Sequence, residues 1–292
     1  MDTTLQYGYA KINLHLDVTG RLENGFHAVN TVMQSLSLCD AVTLTRRDDC
    51  QYRLTCDNPL VPTDESNLAI RAARAFENAL GLKLGADIHI QKNIPMAAGL
   101  AGGSADAAAV LKGLNALCGD PLTLSELCAV GSALGADVPF CIAGGSAFAD
   151  GKGDILHPFP AMPDCTLVVA CGGEGVSTPM AYGLLDTLYR GFGSESDYTP
   201  RDVSALRQAC ELGDIRGICE HTYNIFEAPI LAARPVAAQI KHTLLDCGAI
   251  GAMMSGSGPS VFGIFDNGDA ARIACERISA MGVTPHLCRP QR

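Results

Sequence analysis

No stretch of this chain reaches the roughly 18 consecutive apolar residues that mark a membrane-spanning helix, so no such segment is expected. The opening MDTTLQYGYAK lacks the basic-then-apolar order of a secretory signal, which points to the cytoplasm. Basic residues are scarce: Lys and Arg total 21 against 31 Asp and Glu, a net charge of −10, and no basic run occurs. Nucleic acid and membrane are therefore not expected partners. An anionic substrate would have to be held by local donors, for which backbone N–H groups and one or two lysines suffice. The thirteen cysteines include no CxxC pair and no Cys/His spacing suited to zinc. In a reducing compartment they read as small buried hydrophobes.

What is present is an ample core. With 292 residues, 48% of them hydrophobic, the chain can build one large domain or two of ordinary size. Alternation with a period of two predicts strands at AKINLHLDV (10–18), AVTLT (41–45), YRLTC (52–56) and ADIHI (86–90). Leu68, Ala72, Ala73, Phe76 and Leu80 share one face of a helix over 66–80, with Ser66 as N-cap and Gly81 as stop. Further helices are expected at 104–118 and 123–134, followed by glycine-rich turns around Gly135 and Gly144. A domain boundary is placed near residue 158. Beyond it come strand TLVVAC (166–171), a helix over 179–188 and a polar, mobile-looking stretch GFGSESDYTP (191–200). Helices at 201–212, 223–233 and 235–246 follow, then strand, turn MSGSGPS, strand VFGIF, helix 268–281 and a last strand. This succession is α+β.

Residues 95–108, PMAAGLAGGSADAA, lie between a strand and a helix. Between Ala97 and Ala109 every residue except Leu100 and Asp106 is Gly, Ala or Ser, so side chains offer little chemistry. Gly99, Gly102 and Gly103 leave room for a phosphate to reach the N–H groups and the positive end of the helix. The stretch is neither a Walker A loop, having no Lys-Ser/Thr, nor a GxGxxG turn. A tightly packed turn is the competing reading.

The order of five segments resembles the GHMP small-molecule kinases, and within them the 4-diphosphocytidyl-2-C-methyl-D-erythritol kinases of bacterial isoprenoid synthesis. The segments are AKINLHLDVTGRLENGFHAVNTVMQSLSLCD (10–40), ESNLAIRAA (65–73), KNIPMAAGLAGGSADAAAVLKGLN (92–115), LGADVPFCIAGGSAFADGKGDIL (134–156) and MSGSGPSVF (254–262). The resemblance spans essentially the whole chain. It implies a two-domain fold, with a ribosomal protein S5 domain 2-like N-terminal domain over 1–158 and a ferredoxin-like C-terminal domain over 159–292. It also implies ATP as co-substrate, magnesium as its companion, CDP-methylerythritol as the small-molecule partner, and a monomer or homodimer. No residue announces itself as a metal ligand.

The same resemblance assigns roles. ATP phosphates fall to Pro95, Met96, Ala97, Ala98, Gly99, Leu100, Ala101, Gly102, Gly103, Ser104 and Ala105. Lys11 would lie beside the reacting hydroxyl and stabilise charge; on residue type alone it is a solvated strand lysine. Asp137 would accept the hydroxyl proton; the bland alternative is a carboxylate capping a Gly/Pro-bounded turn. Phe26 would stack on cytosine, His27 would bond its polar edge, and Tyr182 would supply the second stacking ring; otherwise Phe26 and His27 are core residues of a hairpin. Asn13, two residues from Lys11 and on the same strand face, would orient the erythritol end. Many relatives carry Tyr where this chain has Phe26, and the glycine-richer form GLGGGSSNAA differs here at Ala101, Ala105 and Asp106. Asp106 has two open roles, favouring a helix N-terminus or binding magnesium through water. A base-free GHMP kinase substrate, or a nucleotide-binding regulator without catalysis, are the rival functions. GFH and Tyr182 argue against the first, and retention of Lys11 and Asp137 against the second.

Overall fold

The computed structural model describes residues 2–160, 162–193, 196 and 198–292. The chain forms two compact units that interleave along the sequence. One comprises Met1–Ala10, Cys39–Met96 and Ala101–Gly144, the other Lys11–Leu38, Ala97–Leu100 and Gly145–Arg292. Strands β1 (Thr3–Arg21) and β2 (His27–Arg46) each contribute to both.

In the first unit, β3 (Tyr52–Cys56) runs parallel to β4 (Ala86–Gln91), and α1 (Leu68–Leu80) supplies the crossover that a parallel pair requires. β4 lies antiparallel to the end of β2, with Ala41 opposite Gln91 and Arg46 opposite Ala86. Its period of two is visible in burial, since Ala86, Ile88 and Ile90 are inside and their neighbours outside. The cap of α1 is Asn67, one residue after the expected Ser66, because its side chain accepts from the Ala69 N–H while Ser66 bonds Asp64. α2 (Gly102–Leu117) is buried from Ala105 to Leu111, and small residues let the sheet approach it. A Cβ on Gly113 would stand 2.5 Å from Leu44 Cδ1. α3 (Leu124–Ser132) starts with a reciprocal capping box between Thr123 and Glu126. α4 (Val138–Ala143) occupies what reads in sequence as turns between Gly135 and Gly144.

In the second unit, β5 (Ser146–Asp150) pairs with β2 and with β6 (Ile155–Phe159), so the expected boundary at 158 falls inside a strand. A four-stranded antiparallel sheet has β7 (Thr166–Cys171) at its centre. After β7 come α5 (Thr178–Leu188), α6 (Ser204–Leu212), α7 (Ile215–Glu220), β8 (Tyr223–Asn224) and α8 (Glu227–Ala233). Then follow α9 (Pro235–Asp246), β9 (Gly251–Met254), β10 (Ser260–Phe265), α10 (Gly268–Ser279) and β11 (Pro285–Cys288). The sheet order is β11-β7-β10-β9. Val168, Ala170, Val261 and Phe265 from the sheet share one core with Ile240, Leu244, Ala274 and Ile278 of α9 and α10. The expected helix at 223–233 begins only at Glu227, because Tyr223 and Asn224 pair with β1. Of the polar stretch 191–200, positions 194, 195 and 197 lie outside the described residues.

The cysteines are free. Cys141, Cys210 and Cys288 are buried, Cys50 is exposed, and the rest lie between. Burial pushes the Cys165, Cys210 and Cys288 thiols up to about 12.

Beneath the start of α2 sits a buried ion triad. Lys92 Nζ lies 2.5 Å from Asp40 Oδ2 and 2.8 Å from Asp106 Oδ2. Asp40 also accepts the Asn93 and Ile94 N–H groups at 2.6 and 2.8 Å, whereas Asp106 Oδ1 is buried without a partner. Lys92 thus bonds both carboxylates, while the backbone N–H groups serve Asp40 alone. Burial raises Asp106 to about 7, with Lys92 opposing and the Asp40 charge adding. Burial also acts to lower Lys92, but Asp106 and Asp40 outweigh it and hold the lysine above its ordinary value.

Two expected outcomes follow from the α2 end. A carboxyl whose folded value is raised binds its proton in the native state first, so its contribution to stability falls as pH rises from about 4 to about 7. Asp106→Asn copies the protonated form, so its melting temperature should gain on the wild type between pH 5 and pH 8.5; an equal offset at both pH values would refute this. Ala101 sits in the left-handed region at φ 60. Ala101→Gly should therefore stabilise by up to about 1 kcal/mol, or roughly 2 °C, by thermal melting. A fall would show that the strain is offset elsewhere.

Candidate functional site

Alternation in β1 puts Ile12, Leu14, Leu16 and Val18 on one face and Lys11, Asn13, His15 and Asp17 on the other. The polar face is not solvated: those four are 4%, 2%, 1% and 0% exposed. Lys11 is thus no ordinary strand lysine. Its Nζ donates to Asn13 Oδ1 at 2.7 Å, Asn13 Nδ2 donates to Thr31 Oγ1 at 2.8 Å, and the Thr31 hydroxyl donates to the His15 carbonyl at 2.7 Å. Asp17 accepts from the Tyr198 hydroxyl and the Arg201 and Val18 N–H groups. Burial, helped by the Arg201 charge, lowers His15 to about 4, so its imidazole is neutral at physiological pH.

The glycine-rich stretch is fixed from two sides. Within the second unit, the Lys11 N–H donates to the Leu100 carbonyl at 3.1 Å and the Ser260 N–H to the Ala98 carbonyl at 3.2 Å. Ser255 accepts the Asn13 N–H at 3.3 Å and donates its hydroxyl proton to the Gly99 carbonyl at 3.0 Å. Gly99 has φ +77, and a Cβ there would fall 2.3 Å from the Ser255 carbonyl oxygen, so only glycine fits. MSGSGPS forms the hairpin that joins β9 to β10, and its Ser255 hydroxyl bonds the glycine loop. Within the first unit, Pro95 and Met96 follow β4, and Ala101 with Gly102–Ala105 opens α2. A Cβ on Gly103 would meet no atom within 4 Å. That open space, together with the unsatisfied first N–H groups of the helix and its positive end, fits a phosphate. Asp106, by contrast, is committed to Lys92.

Phe26, His27 and Tyr182, the residues expected to meet a base, all lie in the second unit. Phe26 is 60% exposed and not a core residue. The His27 ring stacks on Tyr182 at 4.4 Å and 24°, and Phe192 meets it edge-on at 5.8 Å. Tyr182 in turn rests on the buried Phe226. His27 Nε2 lies 2.7 Å from Asp186 Oδ1. Sequence reasoning missed Asp186, Arg21 and Phe192, and also Thr31 and Ser255, since none stands in a spacing that signals chemistry.

Asp137 belongs to the first unit and Lys11 to the second. Asp137 stands at the N-cap position of α4, half-buried, yet its side chain accepts no capping bond. Among the described residues, no three His, Cys, Asp or Glu side chains gather in a way that holds a metal ion, and no helix is long and apolar enough to cross a membrane. Magnesium bound to a nucleotide takes most of its ligands from phosphates and water, so it needs no such cluster.

Comparison with known proteins gives one answer. Residues 67–145 match the family GHMP kinases N terminal domain, and 204–284 match GHMP kinases C terminal. A 4-diphosphocytidyl-2-C-methyl-D-erythritol kinase of Alkaliphilus metalliredigens is 42% identical over 278 residues, covering 95% of this chain and 93% of that one. The kinase of that name from Gloeobacter violaceus is 40% identical over 294 residues, covering 100% and 96%. A crystal structure of 4-(cytidine 5'-diphospho)-2C-methyl-D-erythritol kinase superposes with a TM-score of 0.79 at 33% identity, covering 99% of this chain and all of that one. The two-domain fold, the segment order and these full-length similarities agree: the chain belongs to the GHMP kinases and, within them, to the 4-diphosphocytidyl-2-C-methyl-D-erythritol kinases.

Proposed function

We propose that this protein transfers the γ-phosphoryl group of ATP to the 2-hydroxyl of 4-diphosphocytidyl-2-C-methyl-D-erythritol, giving the 2-phosphate and ADP on the non-mevalonate route to isoprenoid precursors. The observation that carries this reading is the buried Lys11–Asn13 pair. Lys11 is joined by its own N–H to Leu100, and Asn13 through Ser255 to Gly99, so a buried cation is tied to the glycine loop.

Phosphoryl transfer asks mainly for positioning and for charge stabilisation where the equatorial oxygens develop charge. The backbone of 95–105 binds the triphosphate, and Gly103 admits a phosphate close to the start of α2. Lys11 supplies positive charge from a buried position, where it is screened little by solvent. Asn13, held by Lys11 and Thr31, orients the acceptor alcohol. Asp137 takes the hydroxyl proton as the new O–P bond forms and the β–γ bridging bond breaks, with ADP leaving. Magnesium bound to the nucleotide would neutralise phosphate charge. Phe26 and Tyr182 offer ring faces to cytosine and His27 its polar edge; each stacked base is worth about 1–3 kcal/mol. Residues 1–158 then form the nucleotide-binding part and 159–292 the C-terminal part.

Purified protein with ATP, magnesium and CDP-methylerythritol should release ADP, and absence of turnover would sink the proposal. Asp137→Ala should lower kcat by about two to four orders of magnitude, the usual worth of a positioned base, and a near-full rate would remove that role. His27→Ala should raise the KM for the cytidine substrate about tenfold while leaving that for ATP nearly unchanged; an equal rise in both would contradict cytosine recognition.

A further inference from the structure

We infer that Arg21 and Asp186 act as a positioning couple that fixes the His27 ring for the base of a pyrimidine nucleoside diphosphate substrate. The inference rests on the reading that His27 meets the cytosine.

An imidazole has two polar atoms, and in the free protein only one is engaged. Nε2 faces Asp186 Oδ1 at 2.7 Å, and among the described residues no bond is made at Nδ1. The His27 side chain is only 9% exposed. Tyr182 covers one face and Phe192 approaches the ring edge-on, so what remains for a ligand is narrow. These apolar contacts fix the plane of the ring but not its sense. A half-turn about the Cβ–Cγ bond exchanges nitrogen and carbon edges at almost no cost in shape, and would present carbon where the base needs a polar atom. Asp186 breaks that degeneracy by requiring nitrogen at its side.

Arg21 makes the carboxylate a fixed reference. Its guanidinium donates to Asp186 Oδ2 at 2.5 Å, to the Gly25 carbonyl at 3.0 Å and to the Gly191 carbonyl at 3.2 Å. One planar fork thus ties together α5, the turn that leads into His27, and the segment that carries Phe192. The Arg21 and Asp186 side chains are 39% and 29% exposed, and an ion pair so accessible adds little to stability. Geometry around His27 is what the fork secures. A lysine, with a compact ammonium on a flexible stem, keeps the charge but cannot hold three divergent acceptors in one plane. Asp186 and Arg21 touch neither ATP nor the reacting atoms in this assignment; they act through His27.

The test is steady-state kinetics on the intact enzyme, with thermal melting to confirm folding. Asp186→Ala and Arg21→Lys should each raise the KM for CDP-methylerythritol about five- to tenfold, while kcat and the ATP KM stay within about twofold. The double variant His27→Ala/Asp186→Ala should be no worse than His27→Ala alone, because both changes remove the same interaction. Additive losses, or an unchanged KM in Asp186→Ala, would overturn the couple. Nitrogen-15 NMR of labelled histidine gives a readout free of turnover. His27 should show one fixed proton distribution in the wild type and an averaged one in Asp186→Ala, and identical spectra would overturn the inference. If the wild type itself does not turn over the substrate, the kinase reading fails, while the NMR result still decides whether Asp186 orders the ring.

Discussion

The polar face of β1 is buried, and the rest of the second unit is arranged to satisfy it. A lysine, an asparagine, a histidine and an aspartate in alternate positions, all at or below 4% exposure, would each cost several kcal/mol if left without partners. The bonds that answer this demand come from far along the chain: Thr31 on β2 for Asn13, and Tyr198 and Arg201 after α5 for Asp17, while Ser255 in the β9–β10 hairpin accepts the Asn13 backbone N–H. Satisfying one strand therefore gathers the glycine loop, the late turn and the segment that follows α5 around it. His15 Nε2 alone in that row keeps no partner, which is tolerable because the ring stays neutral.

The two glycine-rich segments are best understood together. Neither has side chains for chemistry, but each supplies what the other lacks. The hairpin provides a serine hydroxyl that locks the Gly99 carbonyl, and the loop provides the acceptor that orders the serine. With the Gly99 carbonyl spent on Ser255 and those of Ala98 and Leu100 on Ser260 and Lys11, acceptors are turned away from an incoming anion.

Helices were readable wherever their caps and periodicity agreed: α1, α2, α3, α5, α9 and α10 all lie close to their expected spans. β2 was legible only at 41–45, because residues 31–36 are buried on both faces and show no alternation to detect. α4 was hidden by the glycines around it, and β5 and β6 by their shortness. In the site, the glycine loop, Lys11, Asn13 and the aromatic residues carried signals of composition or resemblance. Asp186 and Arg21 did not, since an exposed Asp on a helix and an Arg before a turn are ordinary surface residues until folding brings them to His27. The buried state of Lys11 was equally unreadable, because alternation marks a face as polar without saying whether water or protein covers it.

The cysteines, which no function claims, have a practical consequence. Alkylation proceeds through the thiolate, which burial disfavours at Cys165, Cys210 and Cys288, and Cys210 and Cys288 are covered as well. Cys50, between β2 and β3, is the exposed exception among the described residues. A brief treatment with a maleimide would thus favour one known turn of a thirteen-cysteine chain.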